Sequence, residues 1–99
     1  MTPTVLVVED NESLADNIAE LFEDIGATVQ VRSTASSALD YAQNDGFDLA
    51  IVDIGLPGGQ NGLALVPELR DLTPDGEVIL MTGNASLDST IAAVRHGAF

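Results

Sequence analysis

The chain has 99 residues, no cysteine and no lysine, and its 16 acids face only three basic residues, all arginine, for a net charge of −13. Apolar residues make up 45% of it, enough for one core in one domain, while disulfide frameworks and thiolate metal sites are excluded. Charge of this sign repels nucleic-acid phosphates and anionic lipid, so neither is an expected partner; a divalent cation or a basic protein surface is. The apolar runs at 5–8 and 49–52 are too short to span a bilayer. No basic segment followed by a long apolar stretch opens the chain, so a cytoplasmic location is expected.

The run VLVV at 5–8 ends in Glu9-Asp10-Asn11 and reads as a strand buried on both faces. Leu14, Ile18, Leu21, Phe22 and Ile25 follow at spacings of three and four, one stripe of a first helix. Asn11 or Ser13 is placed to cap that helix and Gly26 to end it. TVQVR at 28–32 alternates as a short strand. Thr34 then caps a second helix carrying Ala38, Leu39 and Ala42, which stops by Gly46. The third strand is 48–53, ending in Asp53 and followed by a Gly- and Pro-bearing loop. A third helix is predicted over 63–72. Pro67 is awkward inside it, so the helix is expected to be kinked or to start near Ala64 or Leu65, which brings the proline into the first turn. A fourth buried strand spans 77–81 and ends in Thr82-Gly83, and a last helix covers 86–96.

Strand and helix thus alternate four times, the pattern of a doubly wound parallel sheet in an α/β fold. Ligands of such sheets sit at the carboxyl ends of the strands. Glu9, Asp10, Asp53 and Thr82 all stand at strand ends. Taken singly, each is an ordinary solvated loop residue or cap. Taken together, three carboxylates at one edge repel one another unless a hard cation such as Mg²⁺ joins them. A carboxylate beside such an ion is also a nucleophile toward a phosphoryl group, and a hydroxyl such as that of Thr82 is suited to hold one phosphoryl oxygen.

Three stretches, VLVVEDNESLADNIAELFEDIGATV, FDLAIVDIGLPGGQNGLALVPELR and EVILMTGNASLDSTIAAVRHGAF, together resemble the receiver domain of two-component response regulators. The resemblance implies a flavodoxin-like sheet of order 2-1-3-4. It makes Asp53 the phosphoacceptor and Thr82 the switch hydroxyl. Asp10 would bind Mg²⁺ directly, Glu9 mainly through water, and the backbone carbonyl of Gly55 would complete the protein ligands. The implied partners are a histidine kinase or phosphotransfer protein as donor and an effector or output domain as recipient of the signal. The implied role is signalling, with at most self-phosphorylation and self-dephosphorylation.

The sequence departs from the family in three places. The loop 57–62 is one residue longer than usual, Pro67 interrupts the third helix, and the family's fifth strand, its lysine and its fifth helix are missing. Residues 1–99 are therefore expected to form a C-terminally incomplete receiver, with the strand 77–81 as an exposed edge through which a homodimer would form. Two other readings remain. One is a pseudo-receiver, a protein-binding scaffold that is never phosphorylated. The other is a Mg²⁺-dependent phosphatase with an aspartate nucleophile, disfavoured because Gly55 stands where that chemistry wants a second acid.

Overall fold

In the computed structural model, residues 2–55 and 62–81 are described. The elements run β1 (Thr4–Val8), α1 (Glu12–Asp24), β2 (Thr28–Arg32), α2 (Ala35–Asn44), β3 (Leu49–Asp53), α3 (Gly62–Leu72) and β4 (Glu77–Met81). Thr82, the loop 56–61 and the helix expected over 86–96 lie outside the described residues.

The four strands form one sheet in the order β2-β1-β3-β4, with every neighbouring pair parallel. Side chains alternate between the faces of a strand, and that alternation divides the core in two. Leu6, Val8, Ala50, Val52 and Val78 pack with Ala38 and Ala42 of α2 and Leu65, Val66 and Leu69 of α3. Val5, Val7 and Ile51 face the other way, onto Ala15, Ile18 and Phe22 of α1. β1 is an interior strand and is buried on both faces, as its unbroken apolar run requires. Among the described residues, β4 is the outer strand on its side of the sheet.

Asn11, not Ser13, caps α1: its side-chain oxygen accepts the N–H of Leu14 at 3.0 Å. Gly26, at φ 96°, ends the helix as expected. The apolar stripe read from the sequence is wider than the face that α1 buries. Ala15, Ile18 and Phe22 meet the sheet, whereas Leu14, Leu21 and Ile25, on one flank of the stripe, are exposed. One sheet face touches only part of a helix circumference, so the flank is left out.

The late start expected for α3 is not found. The helix begins at Gly62 and carries Pro67 at its sixth position, beyond the first turn. Leu65, Val66 and Leu69 are all buried against the sheet, and that packing offsets a helix-interior proline, which costs about 3 kcal/mol. The Pro67 ring itself is exposed, so it contributes little packing in return. Replacing Pro67 with alanine is expected to stabilise the chain by about 1–2 kcal/mol. The measurement is the midpoint of urea unfolding, and an unchanged or lower midpoint would contradict the expectation.

Candidate functional site

The carboxyl edge of the sheet gathers the acids. Glu9 extends β1 by one rung, donating its N–H to the carbonyl of Arg32 at 3.0 Å. Held on the ladder, Glu9 is only 3% exposed. Asp10 is the first residue to leave the ladder, and it is exposed. Asp53 closes β3 opposite Met81, the last residue of β4. Its half-buried side chain accepts the N–H of Gly55 at 3.0 Å through Oδ1. Beyond it, Ile54 bonds to the carbonyl of Met81 at 3.0 Å, and Gly62 at the start of α3 bonds to the carbonyl of Ile54 at 3.1 Å. The turn that presents Asp53 is thus tied to both β4 and α3.

Among the described residues, Glu9, Asp10 and Asp53 each bring one carboxylate oxygen within 4.8 Å of the other two. Burial is the main reason that the Glu9 carboxyl is pushed up to about 7. The neighbouring Asp53 carboxyl and the charges of Asp53 and Asp10 push it the same way, while the N–H of Asn11 pulls it down. That N–H donates to Glu9 Oε1 at 3.2 Å. Glu9 Oε2 is buried with no hydrogen-bond partner.

These residues fit a hard divalent cation. The donors are all oxygen, they converge, and the orphaned Oε2 is an atom that such an ion would satisfy. Next to Glu9 and Asp10 a hollow of about 400 Å³ opens, lined also by Glu12 and Asp16 of α1 and by Ser33. Its carboxylates extend the negative field around the three convergent acids.

The sequence-predicted residues therefore divide. Glu9, Asp10 and Asp53 come together. Gly55 sits two residues past Asp53 in an exposed turn, bonded to it through its N–H. Thr82 lies outside the described residues. Two contributors escaped the sequence reading. Asn11 was visible as a cap, but its bond to Glu9 was not. Gly62 reads as the end of a loop, yet it lies against the Asp53 and Ile54 backbone; a glycine at the very start of an apolar helical pattern is the available signal.

No helix among the described residues is long and apolar enough to cross a membrane. The chain is 30% identical over 95 residues to the photosynthetic apparatus regulatory protein RegA of Rhodobacter capsulatus, a match covering 96% of this chain and 51% of RegA. It thus spans about half the length of that relative. A response regulator from Burkholderia pseudomallei, whose crystal structure holds a phosphorylated aspartic acid, a calcium ion and citrate, superposes with a TM-score of 0.90 at 35% identity. That match covers 97% of this chain and 56% of the other. A CheY-like response regulator receiver domain from Methanospirillum hungatei gives a TM-score of 0.90 at 31% identity, over 99% and 78% of the two chains. The model of the response regulator receiver domain family matches residues 5–99. With the parallel order 2-1-3-4 and the acids of β1 and β3 meeting at one edge, this chain belongs to the receiver domain family of response regulators, a family of signalling domains.

Proposed function

We propose that this receiver domain takes a phosphoryl group onto Asp53 with the help of Mg²⁺, and passes the signal to a partner or output domain. The observation that carries the reading is the convergence of Glu9, Asp10 and Asp53 around a buried Glu9 oxygen that has no hydrogen-bond donor. In the reaction, a carboxylate oxygen of Asp53 attacks phosphorus and the bond to the donor's leaving group breaks, giving an aspartyl phosphate. Asp10, Asp53 and the Gly55 carbonyl would hold a cation directly and Glu9 mainly through water, and the ion would supply charge neutralisation for the incoming phosphoryl group. The Gly55 N–H restrains the Asp53 side chain, and Thr82 is the hydroxyl assigned to a phosphoryl oxygen. The phosphorylated aspartic acid and calcium ion of the Burkholderia pseudomallei relative support an aspartate acceptor and a divalent cation. A histidine kinase or phosphotransfer protein is the donor in this reading.

Treatment with a small phosphodonor and Mg²⁺ is expected to add one phosphoryl group by intact-mass analysis. Chelation of the metal should prevent the addition, and Asp53→Asn should abolish it. Phosphate on the Asn variant would move the acceptor elsewhere. A wild-type chain that takes no phosphoryl group would favour the scaffold reading instead.

A further inference from the structure

Asn11 makes three bonds at the junction of β1 and α1. Its N–H donates to Glu9 Oε1 at 3.2 Å. Its carbonyl accepts the N–H of Ala15 at 2.9 Å, the first backbone bond of the helix. Its side-chain Oδ1 accepts the N–H of Leu14 at 3.0 Å. The backbone is extended there, at φ −78° and ψ 107°, so the residue faces the sheet with its N–H and the helix with its side chain. One residue therefore links the buried Glu9 carboxylate to the first turn of α1. Asp10 lies between Glu9 and Asn11 and is exposed, so its placement follows from theirs.

We infer that Asn11 is a positioning residue for the metal site: its capping bond to α1 orients the backbone N–H that holds Glu9, and so sets where Glu9 and Asp10 present their oxygens. The physical argument is geometric. With Oε1 held by Asn11, the remaining Glu9 oxygen, Oε2, is the one left buried without a donor. Without the cap, the turn is no longer pinned to the helix, and the N–H loses its fixed direction. The Glu9 carboxyl then loses the donor that fixes which oxygen faces Asp53, and Asp10 moves with the turn. Partners that orient ligating carboxylates in this way commonly change metal affinity by about 10–100-fold. This inference rests on the proposed metal site.

The test separates positioning from simple helix stability. The N-cap of α2, where Thr34 Oγ1 accepts the N–H of Ser37 at 3.1 Å, is the same kind of bond and lies outside the three convergent acids. Mg²⁺ and Ca²⁺ affinities are measured by calorimetric titration, alongside thermal melting, for wild type, Asn11→Ala, Asn11→Ser and Thr34→Ala. Asn11→Ala should weaken metal binding about tenfold, and Asn11→Ser, which keeps a capping oxygen, should stay within about twofold of wild type. Thr34→Ala should lower the melting temperature about as much as Asn11→Ala and leave metal affinity unchanged. Asn11→Ala binding metal as well as wild type, or Thr34→Ala weakening binding equally, overturns the inference. A wild-type chain that binds neither ion overturns the metal site itself, so the two failures are distinct.

Discussion

Gly62→Ala should unfold far more easily than wild type, losing about 3 kcal/mol or more. A Cβ at this position would run into the Asp53 carbonyl oxygen and would sit 2.8 Å from the Asp53 carbonyl carbon and 2.9 Å from Ile54 Cα. All three are backbone atoms, so no rotamer change relieves the collision. Gly62 is buried, and its N–H is bonded to the Ile54 carbonyl at 3.1 Å, so the first turn of α3 cannot withdraw without breaking that bond. Either α3 shifts off the sheet or the end of β3 moves, and the second outcome displaces Asp53. Phosphodonor labelling of whatever fraction remains folded should therefore fall as well. Gly26→Ala is the control. Its Cβ would meet nothing within 4 Å, and its cost is limited to the positive φ, about 1–2 kcal/mol. In a domain of this size each 1 kcal/mol moves the melting temperature by about 4–8 °C, so the two variants are separable by melting. A Gly62→Ala protein as stable as Gly26→Ala would show that the loop relaxes at little cost.

Glu9 makes the chain without metal less stable as pH rises. The unfolded carboxyl titrates near its ordinary 4.5 and the folded one near about 7. Below the lower value both states hold the proton and the contribution is complete. Between the two, the folded state holds a proton that the unfolded state has released, so stability falls with each step up in pH. Above about 7 both are ionised and the loss levels off. Burial is the first cause, followed by the Asp53 carboxyl. In the proposed site a divalent cation would take the place of this proton, so its binding should release one. Apparent Mg²⁺ affinity should climb with pH below the folded value and flatten above it. Glu9→Gln keeps the side-chain shape and an acceptor for the Asn11 N–H while removing the titration. At pH 8 without metal it should be more stable than wild type by about 1–3 kcal/mol, and its melting temperature should lose most of the decline between pH 5 and 8. A wild-type chain whose metal-free stability is flat or rising over that range would contradict the assignment.

Local patterning alone carries the alternation of the described elements and the gathering of the candidate acids at strand ends. β1 and β3 needed no tertiary information, because apolar runs such as VLVV and LAIV suit only strands covered on both faces. That Glu9, Asp10 and Asp53 would meet also followed from the sequence once parallel strands were inferred, since such strands bring their carboxyl ends to one edge. The tertiary structure decided what depends on contacts between segments distant in the chain. It made Glu9 rather than Asp10 the buried carboxylate, because the bond to Arg32 keeps Glu9 on the ladder for one more rung; two adjacent acids carry no local sign of where the pairing stops. It started α3 at Gly62 despite Pro67, because burying Leu65, Val66 and Leu69 against the sheet outweighs a local propensity. It also left Leu14, Leu21 and Ile25 of α1 exposed, since periodicity reports which residues share a stripe of a helix, and only the partner surface decides how much of that stripe is covered.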